Sequence, residues 1–292
     1  MLIFLTSLVA GTALASSHSH HNVSLPSFIN GLNLPWVNCG NDYGIDSYPE
    51  SSFNDAFQRY CQSGANSARV WIHYDTNKVY KHYDSNGQFK PLSQNFLDDF
   101  GKMMRAAQRN KVQVFLTLFS FECVNYDPCH NMMLDNNKRD AYIRNGLRPL
   151  LDYVKKNGLQ NTVTAVEMFN EPEWMIVGGS GVSRQIGKES VQNFVRACNQ
   201  VITGAGFAAT VGSASLKWTC NCGHWCEGDW WGNTGITFYT VHYYSWMAQG
   251  GNTYDPFHSR PSDWCLSGKP VLIGESPAWT DASTSGQLTV WD

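Results

Sequence analysis

The 292-residue chain predicts an α/β fold, a (β/α)8 TIM barrel apparently truncated after its seventh strand. Near-continuous apolar runs alternate with amphipathic segments from residue 29 onward, which is the pattern of a parallel sheet covered by helices. No G-x-G-x-x-G follows the first run, so the dinucleotide fingerprint of a doubly wound sheet is missing. Polar and aromatic residues also gather at the C-terminal ends of many runs: Trp36 and Asn38, Arg69 and His73, Glu122, Asn170 and Glu171, His242 and Tyr244, Glu275. A doubly wound sheet would concentrate them at one crevice, whereas a barrel collects all its strand ends on one functional rim.

The strand candidates, in order, are 29–38 (INGLNLPWVN), 67–74 (SARVWIHY), 112–121 (VQVFLTLFSF), 163–171, 209–215, 236–245 (ITFYTVHYYS) and 270–276 (PVLIGES). Between them, three stripes repeat with the 3.6-residue period of a helix lying on a sheet. The first is Phe96, Phe100, Met103, Met104 and Ala107; the second is Ile143, Leu147, Leu150, Leu151 and Val154. The third is Val191, Phe194, Val195, Cys198, Val201 and Ile202. These residues are expected in the core, with Gly64, Gly158 and Gly206 stopping their helices.

A formal net charge of −3 and the lack of any lysine and arginine cluster argue against a nucleic-acid partner. Residues 1–15, MLIFLTSLVAGTALA, end in Ala13-Leu14-Ala15 and read as a secretory signal peptide, with 16–28 a polar leader and 29–292 the barrel domain. No other stretch approaches the roughly twenty apolar residues of a membrane span, so a secreted, extracellular, monomeric protein is expected. Nine cysteines in such a chain predict disulfides with one cysteine left over. Cys123 and Cys129 flank a short loop, and CNCGHWC brings Cys220, Cys222 and Cys226 around His224. That cluster has the donors of a zinc site, but the oxidising compartment favours disulfides to residues elsewhere. His18, His20 and His21 read as leader, and Asn22-Val23-Ser24 as a glycosylation acceptor.

Two apolar strands run directly into a glutamate followed by a proline: VEMFNEPEW delivers Glu171 and LIGESPAW delivers Glu275. Glycosidic hydrolysis needs such a pair, one carboxyl to protonate the leaving oxygen and one to attack or stabilise the oxocarbenium-like carbon. The "NEP" after a fourth strand and the "IGE" of a seventh resemble clan A glycoside hydrolases, and the whole chain is similar to glycoside hydrolase family 5. That resemblance implies that Glu171 is the general acid/base and Glu275 the nucleophile of a retaining double displacement. It implies that Asn170 bonds the sugar 2-hydroxyl, Arg69 keeps Glu275 ionised, Tyr244 donates to that nucleophile, and His242 lines the cleft. Trp36, Trp174, Trp246 and Trp279 lie just after strands, where a flat ring stacks on a sugar face, and apolar cover from Trp174 is expected to favour a protonated Glu171. Glu122 and Glu173 are expected to line the cleft or its loops, and Glu167 to be structural. This chemistry requires no metal or organic cofactor.

After the seventh strand the residues run out where a seventh helix would begin, so the first and seventh strands are expected to keep open edges. In the family the eighth strand supplies a tryptophan floor to the sugar site, a place for which Trp279 and Trp291 are the candidates. The leading expectation is an endo-β-glycanase acting on β-1,4-linked mannan or glucomannan. The alternatives are an endo-β-1,4-glucanase and, from another class, a carbohydrate-binding pseudoenzyme.

Overall fold

The computed structural model describes residues 28–38, 40, 42–44, 48–73, 82–222, 226–244, 256, 259–266 and 268–276. Seven strands form one sheet: β1 (Gly31–Asn33), β2 (Ser67–Trp71), β3 (Gln113–Ser120), β4 (Val163–Asn170), β5 (Ala209–Ser213), β6 (Tyr239–His242) and β7 (Val271–Glu275). Each pairs in parallel with the next in chain order. The result is a nearly closed barrel in which all strand C-termini reach the same rim. Across the remaining gap Asn33 Nδ2 donates to Gly274 O at 3.1 Å, joining β1 to β7 through a side chain. The expected start of a seventh helix falls in 277–292, outside the described residues.

The apolar stripes become helices because their period matches one buried face. Helices α1 (Glu50–Gln62) and α2 (Gln94–Arg109) pack against β2 and β3 respectively, and Phe96, Phe100, Met103, Met104 and Ala107 of α2 are all buried. Ser93 caps α2 by accepting from the Phe96 N–H at 3.2 Å. Helices α3 (Asp127–Leu134) and α4 (Asn136–Tyr142) follow β3, and one wider turn over Ile143–Leu147 joins α4 to α5 (Arg148–Lys156). Short α6 (Glu173–Val177) and long α7 (Lys188–Gly204) follow β4. Ile143 and Val201 are packed only partly against the core, while the other members of their stripes are buried. Gly64, Gly158 and Gly206 follow α1, α5 and α7 with φ of +84°, +67° and +90°, the left-handed conformation that ends a helix.

Beyond β5 the covering layer changes. The described connections after β5 and β6 carry only short 3-10 turns, Leu216–Trp218 and Pro261–Trp264. Buried Trp218, Trp230 and Trp231 supply apolar cover there, and disulfides staple the loops. Cys222–Cys265 closes a separation of 43 residues, worth about 4 kcal/mol in the chain-entropy account. Cys220 pairs with Cys226, inside the cluster rather than with a distant residue, which corrects the expectation for that pair. Their Cα atoms lie 5.6 Å apart, within disulfide reach despite the short loop. Cys123 pairs with Cys129 across its loop, and among the described residues Cys61 and Cys198 are free. Cys39 and His224 lie outside the described residues.

Candidate active site

β4 ends at Asn170, and the next residue, Glu171, adopts left-handed backbone with φ of +51°. The turn is held because the Glu171 N–H donates to Gly212 O of β5 at 2.7 Å and the Trp174 N–H donates back to Glu171 O at 3.2 Å. A bend at this point lifts the carboxyl out of the barrel wall, over the rim. Glu275 ends β7, three strands along the sheet, yet the curvature brings the two together. A carboxylate oxygen of each and a ring nitrogen of His242 lie within 4.8 Å of one another.

Arg69 organises the floor between them. It is 6% exposed, and its guanidinium reaches four side chains. Nε donates to Glu167 Oε1 at 3.1 Å and Nη2 to the same oxygen; Nη2 also donates to Asn170 Oδ1 at 2.9 Å. Nη1 donates to Asn33 Oδ1 at 3.0 Å and to Glu275 Oε1 at 2.6 Å. Burial works against this charge, but Glu167 and Glu275 outweigh it and hold the guanidinium above its ordinary range. Since arginine only donates, the Asn170 atom facing it is the carbonyl oxygen, which turns the amide NH2 away as a donor. Glu167, fully buried, also accepts from Thr117 Oγ1 at 3.0 Å, as a structural bonding residue should. Gly212 is required opposite it, because a Cβ there would meet the Glu167 carboxyl at 2.8 Å.

The two glutamates meet different partners. Glu275 Oε2 accepts from Tyr244 Oη at 2.6 Å, with His242 Nδ1 3.6 Å away. Burial alone would raise the Glu275 carboxyl, but the charges of His242 and Arg69, with the bonds from Tyr244 and Arg69, hold it at about 2. Burial, followed by the Glu275 charge, pushes the Tyr244 hydroxyl upward, so it remains a donor. Glu171 Oε1 lies 2.8 Å from His242 Nδ1, and Glu171 Oε2 accepts from Trp174 Nε1 at 2.9 Å. Burial disfavours charge on the His242 ring, but Glu275 and the bond to Glu171 outweigh it and raise its pKa. His242 Nε2 is buried without a partner, so a ring proton is best satisfied at Nδ1, facing both carboxylates. Glu171, His242 and Glu275 carry the donor types of a cation site. Arg69 already supplies the positive charge beside Glu275.

Arg69, Asn170, Glu171, His242, Tyr244 and Glu275 are thus brought together. Trp36 stands nearby, half-buried, with its ring 5.4 Å from Trp71 in an edge contact, and the Trp71 ring lies 5.6 Å from the Arg69 guanidinium. Trp174 departs from expectation: its indole donates a hydrogen bond to Glu171 instead of providing apolar cover. Trp246 and Trp279 lie outside the described residues. Glu173 is fully buried rather than lining the cleft, and accepts from Ser213 Oγ at 2.5 Å, Trp231 Nε1 at 2.6 Å and the Ala214 N–H at 3.0 Å. It ties α6 to the end of β5. His73 is buried among Phe89, Phe96, Phe119 and Tyr142 with both ring nitrogens unpartnered, and burial followed by His82 lowers its pKa. It is a core residue. Glu122 is half-buried and accepts from Ser120; burial chiefly raises its carboxyl, with Glu171 and Glu275 adding to the rise. Asn33 was not anticipated; its place in GLNLPW at the end of the first strand, on the face of Arg69, was the available signal.

Barrel and paired glutamates, together with the likenesses that follow, define a glycoside hydrolase. No family model matches the chain. It is 27% identical over 304 residues to the mannan endo-1,4-β-mannosidase of Mytilus edulis, covering 91% of this chain and 78% of that protein. A second mannan endo-1,4-β-mannosidase, from Cryptopygus antarcticus, is 26% identical, covering 85% of this chain and 72% of its own length. Among solved structures, the β-mannanase of the blue mussel Mytilus edulis superposes with a TM-score of 0.74 at 24% identity, over 89% of this chain and 80% of that one. The endo-1,4-β-mannanase of Eisenia fetida gives 0.73 at 23%, over 90% and 79%. The chain is an endomannanase-like glycoside hydrolase, similar to family 5 enzymes.

Proposed function

We propose that the protein is a secreted, monomeric, retaining endo-β-1,4-mannanase that cleaves mannan or glucomannan. The observation that carries this reading is the approach of Glu171 and Glu275, with a carboxylate oxygen of each inside the 4.8 Å cluster. Double displacement asks for carboxyl groups about 5–5.5 Å apart, whereas inversion needs about 6.5–9.5 Å to admit a water. The names of the relatives support mannan over glucan. The signal-like residues 1–15 and the disulfides support export.

In the first step Glu275 attacks the anomeric carbon as the glycosidic C–O bond breaks, and Glu171 passes its proton to the departing oxygen. Arg69 and Tyr244 keep Glu275 ionised and aimed. The Asn170 amide, turned outward by Arg69, donates to the 2-hydroxyl, an interaction that tightens as the ring flattens. In the second step Glu171, now a carboxylate, takes a proton from water, whose oxygen attacks the same carbon and releases Glu275. His242 sits between both carboxylates and holds them in register. Trp36, Trp246 and Trp279 are proposed to border the sugar subsites.

Reducing ends released from mannan, glucomannan and carboxymethyl cellulose test the reading. Faster release from the mannans, with loss on the order of 10⁴-fold or more in Glu275→Ala, is expected. Preference for carboxymethyl cellulose would make the protein a glucanase, and binding without release would make it a pseudoenzyme. Azide added to Glu171→Ala should yield the β-configured glycosyl azide; an α product would overturn the acid/base role.

A further inference from the structure

This inference rests on the acid/base reading of Glu171 and concerns what aims its carboxyl. A non-glycine residue in left-handed backbone costs about 1 kcal/mol or more and persists only where its surroundings over-determine it. Here Trp174 closes the turn twice. Its backbone N–H donates to Glu171 O, and three residues along from that same glutamate its indole Nε1 donates to Oε2 at 2.9 Å.

The indole is itself fixed. Its ring meets Trp218 edge-on at 5.7 Å, Trp218 meets Trp230 at 6.0 Å, and both of those rings are buried. Gly179, whose φ is +98°, lies beside the six-membered ring: a Cβ placed there would sit 3.6 Å from it, in van der Waals contact. An indole N–H donates and never accepts. It therefore holds Oε2 whether or not the carboxyl is protonated, and never competes for the proton. His242 Nδ1 holds the other oxygen at 2.8 Å.

We propose that Trp174 is a positioning residue for Glu171, fixing the plane of its carboxyl for proton transfer, rather than a platform on which sugar stacks. The role acts through Glu171, so it should appear where proton donation limits the rate.

Two variants separate N–H from packing. Trp174→Phe keeps an aromatic ring against Trp218 and removes the donor. Trp174→His gives up the six-membered ring but sets a ring N–H at the same number of bonds from Cβ. Each is measured on the oligosaccharide that the enzyme cleaves fastest, whose leaving oxygen needs a proton, and on the matching dinitrophenyl glycoside, whose leaving group departs without one. For Trp174→Phe, kcat on the oligosaccharide is expected to fall ~10- to 100-fold with KM little moved. The ratio of kcat/KM on the activated glycoside to that on the oligosaccharide rises at least about tenfold, and Trp174→His restores most of it. Equal losses on both substrates, or a loss carried by KM that Trp174→His does not mend, overturns the proposal in favour of packing or stacking. Should Trp174→Phe fail to fold by circular dichroism, Trp174→His alone decides, since a ratio raised as far as about tenfold in that variant refutes the donor role. Glu171→Gln runs in parallel. If its own loss is independent of the leaving group, the acid/base reading fails; if it depends on the leaving group while Trp174→Phe does not, the role of Trp174 alone fails.

Discussion

Strands β2, β4 and β5 are buried at every residue, whereas every residue of β1 is exposed and every residue of β7 is half-buried. Glu171 stands on the buried arc and Glu275 on the seam. On the arc, position comes from the backbone: β4 is paired on both sides, and the Glu171 N–H itself extends the pairing to β5. At the seam, side chains take over. Asn33 spans β1 to β7, and Arg69 reaches from β2 to hold Asn33 and Glu275 together. The strand of Glu171 therefore has ladder partners on both sides, whereas that of Glu275 has one ladder partner, β6, and is held on its other side by a network of charge and hydrogen bonds.

The largest break in that comparison comes from Arg69→Ala. It leaves Glu167, which is 0% exposed, and Glu275, which is 16% exposed, without their cation. Removing one partner of a buried ion pair costs about 3–5 kcal/mol, which for a chain of this size is a fall of about 10 °C in Tm. Arg69→Lys keeps the charge but not the fork that serves four residues at once, so it should recover stability more fully than kcat. A loss under about 1 kcal/mol in Arg69→Ala, the range of an exposed pair, would mean that the seam does not depend on side chains.

Next in size is the titration of Glu275. Its folded pKa of about 2 lies below the ordinary 4.5, so its contribution is fully present above pH 4.5 and is lost as pH falls toward 2. The shift corresponds to a contribution on the order of 3 kcal/mol. His242 works in the opposite direction: its pKa is raised above 6.5, so its contribution is present below pH 6.5 and fades as pH rises through the raised value. Urea melts between pH 5.5 and 2.5 should show a steeper loss in the parent than in Glu275→Gln, with the two curves converging at the acid end. Parallel curves would show that His242, Arg69 and Tyr244 do not hold this carboxyl ionised.

The two regions also differ in how far they could be read from sequence. Seven strands and three helical stripes were legible because burial on a fixed period leaves its mark in residue type; all seven strands formed, each within the expected range. The strand-end positions of Asn170, Glu171, His242, Tyr244 and Glu275 were legible because a polar residue interrupts an apolar run, whereas Arg69, expected at a strand end, is the middle residue of β2. What residue type cannot encode is the direction of a side chain. Trp174 read as a stacking face because its ring is flat, yet its N–H is committed to Glu171. Glu173 read as a rim residue because it follows Glu171 in a turn, yet three donors draw it fully inside. The Asn33 link to Gly274 joins positions at opposite ends of the chain, and no local pattern announces it.

That link gives the finest test. Asn33→Ala removes one exposed bond to Gly274 O and one acceptor for Arg69, each worth about 0.5–1.5 kcal/mol. Global stability should fall by about 1–3 kcal/mol. Hydrogen exchange should localise the effect, because openings below the global free energy are confined to the region that lost the contact. Amides of Val271–Glu275 are expected to exchange faster in the variant, while those of Val166–Asn170, paired on both sides, keep their protection. Equal acceleration on both strands would show that the barrel opens as one unit and that arc and seam are not separately held. Acceleration confined to β7, with kcat falling in step, would tie the aim of Glu275 to a single amide on the far side of the seam.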